Sequence, residues 1–177
     1  MDRSEFIRKN LRTIPDFPKQ GILFRDSTTL LLHPDGLKVT IEALTEQWQD
    51  TKVEKVVAID ARGFVYGAAL AQQWSCGLAL ARKKGKLPGD VIEASYELEY
   101  GTDVLEIDTI TINKGEKCLV VDDLIATGGT AQAACELVSR IGGQVVGCAF
   151  VIELPDLKGR ELLSKYDVRS LVTFEGH

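Results

Sequence analysis

Two histidines, His33 and His177, are all the imidazole this sequence has. Histidine-built metal sites and Ser-His-Asp catalysis are thereby almost excluded. Cysteine is sparse too: Cys76, Cys118, Cys135 and Cys148 show no C-x-x-C spacing and lie in apolar surroundings, the pattern of buried reduced thiols rather than disulfides or a zinc site. No apolar stretch approaches a bilayer span, and residues 1–20 are polar, without the apolar middle of a signal peptide. A cytoplasmic protein with no membrane partner is expected. Positive charge is not in excess, since 21 Lys and Arg stand against 26 Asp and Glu for a net charge of -5 and a pI near 5.1. That argues against a nucleic-acid partner, so any polyanion site must be local. Neither G-x-x-x-x-G-K-[ST] nor a G-x-G-x-x-G after the first strand is present, which removes the common nucleotide-binding fingerprints. Internal repeats, low-complexity tracts and composition breaks are missing as well. At 177 residues, 45% hydrophobic and 27% charged, the chain reads as one domain, 1–177.

What remains is a rhythm of strands and helices. Residues 4–11 carry a helix start signal at Ser4, and Pro15, Pro18 and Gly21 then break the pattern before a short apolar stretch at 22–24, read as an irregular segment packed over a site. Residues 36–48 fit an amphipathic helix, 53–59 a strand, 64–73 an alanine-rich helix and 78–81 a strand. A second βαβ unit follows at 119–121, 131–141 and 145–152, then a short helix at 158–165 and a last strand at 168–172. The prediction is an α/β domain with a mostly parallel sheet flanked by helices. Between the two units, residues 83–113 are polar, carry Pro88 and glycines, and hold two strand-like pieces, 91–96 and 103–112. A long excursion of this kind is usually functional and reads as a flexible hairpin flap over the strand ends.

The most informative string is C-L-V-V-D-D-L-I-A-T-G-G-T, residues 118–130. Leu119, Val120 and Val121 have the character of a strand buried on both faces, which places Asp122 and Asp123 at its carboxyl end, where open parallel sheets bind ligands. Gly128 and Gly129 free the backbone to converge amide hydrogens at a helix start, and Thr127 and Thr130 add hydroxyls. Such a concavity suits a phosphate. Two adjacent carboxylates beside it suit sugar hydroxyls or a hydrated divalent cation.

This string resembles the phosphoribosyl-pyrophosphate signature of type I phosphoribosyltransferases, closely in its adenine phosphoribosyltransferase version. F-P-K-Q-G-I-L-F-R-D (17–26), A-R-G-F (61–64), R-K-K-G-K-L-P (82–88) and S-Y-E-L-E-Y-G (95–101) resemble further segments of that family in the same order. The likeness spans nearly the whole chain. It implies the type I fold with an N-terminal hood segment (1–35) and the flap (83–113). It also implies transfer of a phosphoribosyl group from phosphoribosyl pyrophosphate to adenine with release of pyrophosphate, a magnesium requirement and a homodimer.

The resemblance assigns roles residue by residue. Ala126, Thr127, Gly128, Gly129 and Thr130 would hold the 5-phosphate, while Asp122 and Asp123 would accept the ribose hydroxyls directly or through magnesium-bound water. Ala61, Arg62, Arg82, Lys83 and Lys86 would take the pyrophosphate, with Gly63 letting amides approach; relatives have a cis peptide just before the residue matching Ala61. Lys84 stands where many relatives have another residue. Glu99, with Tyr100 in the flap, would manage the proton of the attacking purine, so the catalytic set is Glu99, Asp122, Asp123 and Arg62. Phe24 would stack on adenine, Leu23 and Arg25 would read its edge, and Leu157 would close the opposite face. The rivals are a phosphoribosyltransferase for another purine base and a phosphoribosyl-pyrophosphate-sensing regulator on the same fold.

Overall fold

Strands covered on both faces need apolar residues at consecutive positions, and that requirement places the central strands of this chain. The computed structural model describes residues 2–98 and 101–176. The chain begins with α1 (Arg3–Asn10), β1 (Arg12–Pro15), β2 (Leu23–Asp26), α2 (Thr28–Leu32) and α3 (Gly36–Gln47). It continues through β3 (Lys55–Ile59), α4 (Gly63–Trp74), β4 (Gly77–Lys83), β5 (Val91–Glu97) and β6 (Thr102–Asp108). Then come β7 (Lys117–Ile125), α5 (Gly129–Ile141), β8 (Gln144–Glu153), a 3-10 turn (Pro155–Leu157), α6 (Gly159–Leu162) and β9 (Val168–Thr173).

Seven strands form one sheet in the order β5-β6-β4-β3-β7-β8-β9. The run β4-β3-β7-β8-β9 is parallel, and β6 joins β4 antiparallel. Along β7 the side chains alternate between two cores. Cys118 and Val120 belong to the cluster under α5, whereas Leu119 and Val121 belong to the cluster under α1, α3 and α4. All four are fully buried. Each side chain of this kind contributes about 1.5–3 kcal/mol, so this strand is the anchor of the fold. Pairing of Ala58 with Val121 then sets the loop after β3 beside the carboxyl end of β7.

Three details differ from the sequence reading. Of residues 22–24 only Ile22 is irregular, because β2 from Leu23 onward pairs with β1 in a small separate sheet that sets Ile14 opposite Phe24. Strand β7 does not stop at Val121; Asp122 pairs with Phe150 and Leu124 with Ile152 of β8, so the acids lie within the strand's last turns of pleat. The hairpin continues the main sheet, with Arg82 opposite Glu106, and Ala94, Tyr96, Leu105 and Ile107 buried. Glu99 and Tyr100 lie outside the described residues. Among those described, no helix is long and apolar enough to cross a membrane.

Candidate active site

The carboxyl ends of β3 and β7 and the loop into α5 enclose a cleft of about 320 Å³. Asp60, Ala61, Arg62, Asp122 and Asp123 line one part of it, and Ala126, Thr127, Gly128 and Thr130 another; Lys83 and Tyr96 reach it from β4 and β5. The two sequence motifs thus meet at a single cavity.

Asp123 is buried, and its Oδ2 accepts from Ser27 Oγ at 3.1 Å and from Arg62 Nε at 2.5 Å. Asp122 Oδ1 accepts the Asp123 N–H at 2.8 Å. Burial first, and the neighbouring Asp123 charge second, push the Asp122 carboxyl well above its ordinary value. Burial opposes the charge on Arg62, but the Asp123 carboxylate, followed by Asp122 and Asp26, outweighs it and raises the guanidinium's pKa. A second buried acid supports this group: Asp26 accepts from Arg12 Nε at 2.6 Å and from Thr28 N–H at 2.9 Å and Oγ1 at 2.6 Å. Burial would raise Asp26, but these bonds win and hold it below its ordinary range. Tyr66 puts a buried hydroxyl next to Ser27 without a well-formed hydrogen bond, and burial carries its pKa up to about 12.

Glycine is required where this cleft is tightest. Gly128 has φ +84°, and a Cβ there would sit 2.5 Å from the Gly159 carbonyl oxygen. From the other side, a Cβ on Gly159 would sit 2.4 Å from the Ala126 carbonyl oxygen. The two glycines press backbone on backbone, leaving the first-turn amides of α5, which have no intrahelical acceptor, at the cleft. Gly63 is explained by packing: a Cβ would lie 2.8 Å from the Val121 oxygen and 3.0 Å from Asp122 Oδ1, so the start of α4 can close on β7 only without a side chain. The Asp60–Ala61 peptide is cis.

The basic run separates. Lys83 lines the cleft while its Nζ pairs with Asp103 at 3.0 Å. Arg82 Nε turns to Asp60 at 3.3 Å and Lys84 to Glu93 at 3.0 Å, and neither these two nor Lys86 lines the cavity. Leu23, Phe24, Arg25 and Leu157 also lie outside its lining. Phe24 nevertheless borders it, since the Arg62 guanidinium lies 5.5 Å from its ring centroid and Phe17 meets the ring edge-on at 5.0 Å. Leu157 packs on the apolar cluster that also holds Leu124 and Ala126. Sequence reasoning missed Ser27, Tyr66 and Gly159. Ser27 had one signal, its place directly after F-R-D; the other two had none.

Residues 27–176 match the family model for the phosphoribosyl transferase domain. An adenine phosphoribosyltransferase from Dinoroseobacter shibae is 50% identical over 172 residues, covering 96% of each chain. The solved adenine phosphoribosyltransferase of Rhodothermus marinus is 47% identical, with a TM-score of 0.91 over 97% of this chain and 98% of that one. The enzyme from Saccharomyces cerevisiae, solved with adenine and an imino-altritol bisphosphate, is 38% identical, with a TM-score of 0.91 over 96% and 98%. By family model, full-length relatives and architecture together, the chain belongs to the type I phosphoribosyltransferases, among the adenine phosphoribosyltransferases.

Proposed function

We infer that this enzyme transfers the 5-phosphoribosyl group from phosphoribosyl pyrophosphate to adenine, giving AMP and pyrophosphate in purine salvage. The observation that carries the reading is one cleft in which a glycine-tightened helix start and an acid pair converge, in a chain about half identical to full-length adenine phosphoribosyltransferases.

Displacement breaks the bond between the anomeric carbon and pyrophosphate, leaving positive charge on the ribose and the electron pair on the departing oxygen. The 5-phosphate would sit on the amides and hydroxyls of residues 126–130, at the positive end of α5. Asp122 and Asp123 would lie under the ring, where a preorganised carboxylate stabilises the developing charge without reorganisation. Arg62, Lys83 and the amide of Ala61 would meet the pyrophosphate. Arg62 is tied to Asp123 in the free enzyme, so it would exchange that partner, wholly or in part, for the leaving group. Arg82 would serve only after its contact with Asp60 gives way, and Lys86 only by reaching in from outside the cleft lining. Glu99 would take the proton of the attacking purine, and closure of the tip bearing Tyr100 would keep water from the ribose. Phe24 would stack on adenine, with Leu23, Arg25 and Leu157 completing the base pocket.

Magnesium fits this donor set as a substrate-borne ion. Among the described residues there is no group of three or more His, Cys, Asp or Glu that could hold a metal. A small hard cation that keeps its waters and rides on phosphates needs only the acid pair as outer acceptors. When bound, it supplies charge neutralisation at the pyrophosphate. A cytoplasmic homodimer completes the proposal. The test is to mix the protein with phosphoribosyl pyrophosphate, magnesium and each purine base in turn. AMP from adenine alone is expected; IMP or GMP at comparable rates would favour another base, and no nucleotide from any base would refute the enzymatic reading.

A further inference from the structure

The segment after β9 crosses the hood, and its contacts are not those of a loose end. Phe174 N–H still donates to the Glu153 carbonyl at 2.9 Å, as a last sheet bond. Beyond it the chain meets Arg25 of β2, a residue 9% exposed. Arg25 Nη2 donates to the Glu175 carbonyl at 3.0 Å and the Gly176 carbonyl at 3.3 Å, while Nη1 donates to Thr13 Oγ1 at 2.6 Å. The Phe174 ring lies 4.9 Å from the Arg25 guanidinium and 4.7 Å from that of Arg8. Gly176 N–H donates to Asp156 Oδ2 at 2.7 Å, in the 3-10 turn that also carries Leu157. Among the described residues no carboxylate pairs with Arg25; the tail carbonyls take Nη2, Thr13 takes Nη1 and a ring face lies against the guanidinium of this nearly buried cation, while its buried Nε has no hydrogen-bond partner.

We propose that residues 174–176 form a clasp that holds the hood strand and the 3-10 turn at a fixed separation, and so positions both walls of the adenine pocket. The proposal rests on the reading of Leu23, Phe24, Arg25 and Leu157 as base-binding. The physical need is clear from β1 and β2, a two-stranded sheet of four-residue strands, which is marginal by itself. Arg25 ties it to the tail, and Asp156 ties the tail to the opposite wall. These are positioning contacts: they shape the base site and leave the phosphate cradle and the acid pair alone.

Two variants test this, a chain ending at Phe174 and Asp156→Ala, each assayed with adenine and phosphoribosyl pyrophosphate varied separately and by hydrogen exchange of the β2 amides. The truncated chain should raise KM for adenine about tenfold, and Asp156→Ala by roughly threefold or more, with kcat and the KM for phosphoribosyl pyrophosphate within about twofold and faster exchange at β2. An unchanged adenine KM in Asp156→Ala, or both KM values rising together, would overturn the clasp. If truncation prevents folding, Asp156→Ala decides alone. A wild-type chain that makes no AMP from adenine would instead overturn the underlying base assignment, and the exchange data would still report whether the tail holds the hood.

Discussion

Replacing Asp122 by asparagine should make the protein more stable and far less active. In the folded chain this carboxyl sits beside Asp123 and is pushed above its ordinary 3.8, by burial and then by its neighbour's charge. A carboxyl raised in this way binds its proton more tightly folded than unfolded. Between 3.8 and the raised value the native state therefore carries the extra proton, and stability falls as pH rises through that window. Above the window the cost is complete, at about 1.4 kcal/mol for every tenfold by which folding tightens the hold on that proton. Asp122→Asn removes that cost while keeping an acceptor for the Asp123 N–H. With ~1 kcal/mol worth about 2–4 °C in a chain of this length, Tm above that window should rise by roughly 3–6 °C for each such tenfold. The gain should shrink as pH is lowered towards 4. Loss of a charge aimed at the ribose should cut kcat by about a hundredfold or more. Thermal melts of the ligand-free proteins across pH, with steady-state kinetics, test both arms. A lower Tm across the pH range above 4, a gain that does not vary with pH, or near-normal turnover would each refute the reasoning.

Gly128→Ala should weaken ribose 5-phosphate binding about tenfold, because φ +84° alone costs a side chain about 1–2 kcal/mol and its Cβ would displace the Gly159 backbone; titration calorimetry reads the effect, and unchanged affinity contradicts the cradle. Tyr66→Phe should leave stability within about 1 kcal/mol of the parent, since the hydroxyl it removes makes no well-formed hydrogen bond; a large loss in chemical denaturation would mean that the hydroxyl is engaged. Glu99→Ala should lower kcat more than it weakens phosphoribosyl-pyrophosphate binding, and a pure binding defect would contradict a proton role.

The central strands were legible because burial on both faces leaves only apolar choices. Val56, Val57, Ala58 and Ile59 read as a run for that reason, and so do Leu119, Val120 and Val121. Where a strand is short or carries charge, the pattern fails. Leu23–Asp26 offers two apolar residues followed by two charged ones, so its pairing with β1 has no periodic signature. The acids after Val121 look like the start of a loop, yet β8 hydrogen-bonds past them, since a strand end is set by its neighbour's length as much as by its own residues. Helix α2, at five residues, is too short to show a period of 3.6.

The site divides along the same line. The proposed phosphate cradle and the acid pair both lie within residues 118–130, so one string carries them. Its supports are distant: Ser27 reaches Asp123 across 96 positions, and Gly159 makes room for Gly128 from beyond β8. The basic run marks the limit most sharply. Arg82, Lys83 and Lys84 are one motif in sequence, but the pleat of β4 and the acids of three different segments, Asp60, Asp103 and Glu93, send them to different partners. Charge composition therefore predicts that cations stand near the leaving group, and only the fold decides which of them faces the cleft. Arg62 carries that decision furthest, because it touches Asp123 with its Nε and lies over Phe24 with its guanidinium. Through that one side chain, the acid proposed for the sugar and the ring proposed for the base are held in a single arrangement before either ligand arrives.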